Sequence, residues 1–524
     1  MPACHPGKDS LSLIRNGSFA AIASALVFAT TGHPAANAVP VGLREVLGFP
    51  GSLRDETCLT VNDCSSPPDT MGAIGTTHFL ETTNTGNAVY ERTGTRVKRW
   101  DLDSFWRTVV GLDGSGSFDN GDQRVLFDHY TNRWIAVGFS DVTSNIAIGI
   151  SDTENPLGGW KGTSFQGCMN CELADYPTLA VDDRAVYIGT INYGPNEIYI
   201  DTTFHVIPRA SLFGTIPNTD LMSSFSQVGP SALQGALSWQ PIPGETSNIL
   251  TTRYTGILGN VDRAQVVGIG TPAPTVVTDP SNPVLTLPTA YTLTTPPARQ
   301  PDGTRLVNTL GDRLSANVVQ VNGRLYGVQT IFDAASDFTK LRWFVLDAIT
   351  GVEIDVGLIE SDGYDYYQGS IAVNEWGEAV ISYNRSGGTS QGVDGRISFY
   401  AQAFVTNTTG HLNPLGPSLL LRRSDIDNYL AFIPEDGESR WGDYAATSLD
   451  PINPRQFWAI GEFALASPYS KPDRIGQWGT YISALEIAHV PDPVPGPFSI
   501  LGGATGFHWS RRLRRRIHCT RAVQ

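Results

Sequence analysis

Between residues 65 and 485 the apolar positions fall in short, strand-length runs and almost nowhere in the 3.6-residue spacing of an amphipathic helix. The runs are rich in Val, Ile, Phe, Tyr and Trp and are bounded by Asn, Asp and Gly. That pattern predicts β-strands joined by tight turns. One unit recurs: a small or apolar strand, a polar turn, then an aromatic-led strand. Copies lie at Met71–Glu81, Val125–Gly138, Thr178–Gly189, Asn317–Gly327, Ser370–Val380 and Ala446–Ala459, and their starts are 54, 53, 139, 53 and 76 residues apart. A step near 53 suits a four-stranded propeller blade with generous loops. The 139-residue interval leaves room for a degenerate copy around Asn248 to Ile269 and for a Pro/Thr-rich loop over 271–301. The expected fold is all-β, a six- or seven-bladed β-propeller over residues 65–489, with residues 39–64 as a lead-in segment. The competing arrangement is a sandwich or β-helix with coincidental hairpins.

Composition agrees with a large β domain. The chain has 54 glycines, 34 prolines and only 17% charged residues. Its formal charge is −15, and because eight basic residues and one acid lie in the two terminal segments, residues 39–493 carry −22. Such an acidic surface argues against nucleic acid and anionic lipid as partners. It suits an exported protein or one that binds cations.

Both ends read as address labels. Lys8 and Arg15 precede an apolar stretch from Phe19 to Ala29, and Ala36-Asn37-Ala38 is an A-x-A site, so residues 1–38 are expected to be a signal peptide cut by signal peptidase. Residues 490–524 hold Val494-Pro495-Gly496-Pro497, an apolar stretch to Trp509, and the arginines Arg511, Arg512, Arg514, Arg515 and Arg516. As a helix the apolar part would reach about 20 Å, short of the roughly 30 Å core of a bilayer. The arginines would hold the end on the cytoplasmic side during export. This tail resembles the PEP-CTERM sorting signal in a Val-Pro-Gly-Pro variant. The resemblance implies an exosortase-type membrane protease as partner, transient tethering at the inner membrane, removal of the tail, and delivery to the cell surface, outer envelope or exterior.

Cys4 and Cys519 lie in those ends. In an exported chain, Cys58 with Cys64 and Cys168 with Cys171 read as two local disulfides. A zinc site would need more ligands than the two distant pairs supply.

Several segments also resemble a family of secreted bacterial β-propellers of sialidase-like, BNR-repeat architecture. They are Pro67–Gly75, Arg124–Asp128 with Asn132–Trp134, Ser151–Trp160, Asp175–Leu179, Leu341–Phe344, and Arg440–Tyr444 with Phe457 and Trp458. Together they span most of residues 65–485. The resemblance implies the propeller and little about activity, which is not established for most of the group.

Glycosidase chemistry of the sialidase type would use arginines for a substrate carboxylate, an acid, and a Tyr–Glu pair near the axis. Candidates are Arg313, Arg440, Asp69, Asp443, Tyr444 and Glu462. The preferred alternative is that Arg440 and Asp443 hold a blade together as an ion pair. There is no G-x-S-x-G, H-E-x-x-H, Walker A or G-x-G-x-x-G motif. The loop Asp113–Asp122 offers Asp113, Asp119 and Asp122 as Ca²⁺ ligands, without EF-hand spacing; a solvent turn is the other reading. Ser361–Tyr367 could stack on a sugar or pack a blade edge. The expected function is binding or scaffolding in the cell envelope or extracellular matrix, with glycans as the ligand class. A sialidase-like glycoside hydrolase working at the axial mouth is the alternative.

Overall fold

The computed structural model describes residues 39–56, 58, 65–112, 118, 121–140, 142–241, 246–252, 259–271, 273–287, 295–431 and 437–490. The segments expected to be a signal peptide (1–38) and, beyond residue 490, a sorting tail, with Cys64, Asp113 and Asp119, lie outside the described residues. Residues 42–488 form one compact unit.

Seven four-stranded antiparallel units follow one another in this unit, among the described residues. Their first strands are Met71–Ile74, Arg124–Asp128, Leu173–Asp175 with the short Ala180–Val181, Gln234–Leu237, Val318–Val321, Tyr364–Val373 and Ala446–Leu449. Sheets four and five are joined through a parallel pairing of their first strands, Ala236 to Val318 and Leu237 to Val319. The long interval between recurrent units is thus filled by sheet four, whose central strands are Thr246–Thr252 and Val261–Val267.

The first strands of sheets one and two, three and four, four and five, five and six, and six and seven touch one another, and that of sheet seven touches that of sheet one. This last contact closes a ring, and the fold is an all-β propeller. First strands of six sheets line a narrow axial space of about 30 Å³, walled by Met71, Ile74, Leu126, Leu237, Val319 and Ala372 among others. The axis is packed. Apolar clusters fill the gaps between successive sheets, for example Trp106, Val125, Trp134 and Leu80 between sheets one and two. Strands sandwiched on both faces explain why the first strands read as unbroken apolar runs.

The recurrent polar turn has a local cause. After the first strand, Asp128, Asp182, Asn374 or Asp450 accepts a hydrogen bond from the backbone two residues on, at Tyr130 (3.2 Å), Arg184 (2.8 Å), Trp376 (3.1 Å) and Ile452 (2.9 Å). These Asx turns send the chain into the second strand. Ser151–Trp160 is likewise a turn, between strands Asn145–Ser151 and Trp160–Gln166, pinned where the Trp134 amide donates to Ser151 Oγ at 2.8 Å.

The lead-in segment is corrected by the pairing. Residues Val39–Leu53 form the outer strand of sheet seven, beside Gln477–Val490. The contacts of Arg44 with Glu486 and of Ser52 with Thr480 imply that these two strands run in opposite directions. The last sheet is therefore completed by a strand from before the first sheet, which clasps the ring. Cys168 and Cys171 form a disulfide. Cys58 is disulfide-bonded, and its expected partner is outside the described residues.

Candidate functional site

The first strands run the same way along the axis, so the residues just ahead of them gather at one end. Three Gly-Asp pairs stand there, at 121–122, 311–312 and 442–443, and Asp69 and Asp175 hold comparable places in sheets one and three. Asp69, Asp122, Tyr176 and Gln368 have positive φ angles of 49°, 51°, 52° and 51°. Non-glycine residues persist in that region only where neighbours over-determine them. Here the neighbours are visible. The Asp443 amide donates to Asp69 Oδ1 at 2.7 Å, and Asn84 Nδ2 donates to Asp69 Oδ2 at 2.6 Å. Asn84 Oδ1 in turn accepts from the Asp122 amide at 2.9 Å, and Gln368 Nε2 donates to the Gly442 carbonyl.

The Asp69, Asp122 and Asp175 carboxyls stand in a row within hydrogen-bond reach of one another, with Asp122 in the middle. A hydrogen bond between two carboxyls requires a proton between them. Burial raises all three above the usual carboxylate range. The Asp443 and Asp122 charges push Asp69 further up, and those of Asp175 and Asp443 push Asp122. The Asp175 carboxyl is drawn back by its bond from Asp122 and by Arg313. Asp69 is buried, whereas Asp122 and Asp175 keep partial solvent access, so the row runs from the interior to the mouth.

Cations and rings surround the row. The Arg124 guanidinium lies 3.4 Å from the Tyr444 ring centre and 5.6 Å from that of Tyr176, and its Nε donates to the Pro177 carbonyl at 2.9 Å. Arg313 stands 5.5 Å from the Tyr176 ring, and the Tyr176 and Tyr444 rings are 4.9 Å apart. Arg440 pairs with Asp443; their side chains are 31% and 10% exposed, so the pair is at the rim. The Tyr444 hydroxyl is buried without a hydrogen-bond partner, and after burial the Asp122 charge contributes most to raising its pKa. Glu462 is buried against Gly442 and is raised by burial, with Asp69 and Asp443 adding.

Solved structures similar to the chain are distant. A lignostilbene dioxygenase of Pseudomonas brassicacearum is 11% identical with a TM-score of 0.38, over 69% of this chain and 73% of that one. The β-propeller domain of the Trilobed protease from Pyrococcus furiosus is 8% identical with a TM-score of 0.37, over 82% and 97%. An exo-1,5-α-L-arabinanase from a bovine ruminal metagenomic library is 11% identical with a TM-score of 0.31, over 67% and 96%. At these scores the likenesses carry no argument about chemistry. No family model matches the sequence, and no curated protein matches it.

The structure thus brings Asp69, Arg440, Asp443, Tyr444 and Glu462 together, with Arg313 at the edge of the group. Asp122 belongs to this cluster, its carboxyl bonded to Asp69 and Asp175. Among the described residues no group of three or more His, Cys, Asp or Glu is set to hold a metal ion. Sequence reasoning missed Arg124, Asp175 and Tyr176 as site residues. The repeated aspartate ahead of successive first strands was the available signal. The Ser361–Tyr367 loop packs its blade: Tyr366 and Tyr367 are buried, Tyr366 shares a 2.6 Å hydrogen bond with Ser361, and Tyr364 lies against Arg385 at 4.0 Å. His129 stacks on Trp239 at 4.1 Å, and burial lowers its pKa to about 4.

Proposed function

We propose that this propeller is an exported binding protein of the cell envelope or extracellular matrix that takes a carbohydrate at its axial mouth. One observation carries the reading: the partly accessible Asp122 and Asp175, with guanidiniums of Arg313 and Arg440 beside them, close together at one end of the axis. Such a mouth offers acceptors and donors in alternation, as vicinal hydroxyls require, and its acids repel nucleic acid. A glycan array probed with the full chain beside Asp175→Asn tests it. Binding that the variant loses supports the reading, and an array blank for the wild type rejects it.

Glycoside hydrolysis at the same mouth is the second reading, favoured by carboxyls whose pKa burial raises, as a general acid requires. Glycosidase carboxyl pairs stand about 5–9.5 Å apart. Asp122 and Asp175 are in hydrogen-bond contact and so act as one unit; its counterpart would be Asp443. A fluorogenic glycosidase panel decides between binding and turnover. Signal peptidase and an exosortase-type protease are the partners proposed for the two ends. Mass spectrometry of protein from its native host should find a start at Val39 and an end near 494–497, and surface protein ending at Gln524 would reject the sorting role.

A further inference from the structure

A shallow depression adjoins the carboxyl row. It is lined by Ile191, Tyr193, Tyr199, Pro230, Ser231 and Arg313 and encloses only about 10 Å³. Ile191 is the cross-strand partner of Asp175, and Arg313 acts on the Asp175 carboxyl, so the depression and the mouth share a wall. The Tyr193 and Tyr199 rings meet edge to face at 6.4 Å, and the Tyr199 hydroxyl donates to the Pro230 carbonyl at 3.3 Å.

Beside this depression the chain carries exposed apolar residues that the fold does not require. Ile198, Tyr199 and Ile200 are adjacent in sequence and 64%, 38% and 45% exposed. Single exposed apolar residues are ordinary, but three in a row beside a polar mouth mark a contact surface. The depression is far too small to enclose a ligand, so a ring would lie flat across its wall and not inside it. A pyranose has an apolar face for an aromatic ring and an equatorial rim of hydroxyls. Tyr199 supplies the ring, and Arg313 and Ser231 stand at its edge.

We propose that the depression is a second carbohydrate subsite, in which the sugar next to the one over Asp122 and Asp175 stacks on Tyr199, so that the ligand is an oligosaccharide and not a single sugar. This rests on the reading of the mouth as a glycan site. The test is titration calorimetry of the full chain with cello-, xylo- and galacturono-oligosaccharides of one to six units. For the wild type, affinity should rise at least tenfold from one unit to two or three, equivalent to about 1.4 kcal/mol. Tyr199→Ala should abolish that gain and leave single-sugar affinity unchanged, while Tyr199→Phe should keep it. Melting curves of both variants should match the wild type, and Tyr199→Leu provides a second truncation of the stacking face. An undiminished gain in Tyr199→Ala, with binding still lost in Asp175→Asn, overturns the subsite alone. A wild type that binds none of the series overturns the glycan reading and the subsite with it.

Discussion

At the scale of single residues, Asp69 has the most to lose. Its carboxyl accepts from the Asp443 amide and from Asn84, and it lies against the Asp122 carboxyl. Asp69→Ala leaves the buried Asp443 amide without its acceptor and removes one of the two acceptors of the half-buried Asn84 amide, and should cost about 1–3 kcal/mol in urea unfolding, whereas Asp69→Asn keeps an acceptor and a donor and should cost less. Arg440→Ala is milder. An exposed ion pair contributes about 0.2–1 kcal/mol and breaking a buried one costs about 3–5. A pair at the rim should fall near 2 kcal/mol. If Arg440→Ala is fully stable yet loses a measurable hydrolase activity, the residue acts on substrate and the hydrolase reading replaces the binding one. Asp69, Asp443 and Tyr444 were legible as candidates because sialidase-type chemistry calls for acids and a tyrosine near the axis. Arg124 was not, because Ser315, whose carbonyl it reaches at 3.4 Å, is 191 positions away.

At the scale of elements, the ring depends on its clasp. Glu81, in strand His78–Thr83 of sheet one, accepts from Ser52 Oγ at 2.8 Å, from the Tyr90 hydroxyl at 2.6 Å and from Thr480. It ties the closing strand Val39–Leu53 and strand Gln477–Val490 to the first sheet. Below it, Arg92 pairs with Asp450 and lies 5.7 Å from the Trp458 ring. Glu81→Ala should cost about 3 kcal/mol or more, since three buried donors lose one acceptor group. Glu81→Gln should cost less. Equal midpoints of chemical denaturation for wild type and Glu81→Ala would show that the clasp adds nothing to closure. The recurrent strand–turn–strand units were readable because an Asx turn is local. The role of Val39–Leu53 was not, since its partner strand lies more than 400 residues on.

At the scale of the whole molecule, the carboxyl row sets the pH dependence. Asp69, Asp122, Asp175, Asp312 and Glu462 are all raised, chiefly by burial. A carboxyl raised on folding binds its proton more tightly in the native state. Its contribution is complete below the unfolded value near 4 and is lost as pH climbs through the raised native value. Asp101, Asp333 and Asp347 are lowered, Asp333 to about 2, and their contribution is lost in the opposite direction, as pH falls below about 4. Burial lowers His129 and His205 to about 4, and their contribution is lost as pH falls below about 6.5, so melting temperature should peak near neutrality and decline as pH climbs through the raised carboxyl values. Asp69→Asn should flatten the decline. A profile level from pH 5 to 9 in the wild type would mean that the row carries no shared protons.

The sequence by itself determined what is local or periodic: strand length, the Asx turn after four of the first strands, the near-53-residue step, the Cys168–Cys171 pairing and the acidic balance. Side-chain alternation, turn chemistry and spacing are written in consecutive residues, so they can be read without knowing what lies across the fold. Only the tertiary structure decided that the lead-in strand closes the last sheet, that Asp122 joins Asp69 and Asp175, and that Arg124 lies on Tyr444. Those juxtapositions come from ring closure, which brings the starts of successive sheets to one axis. The chemistry of a carboxyl there depends on burial and on its neighbours' charges, which a one-dimensional pattern does not contain.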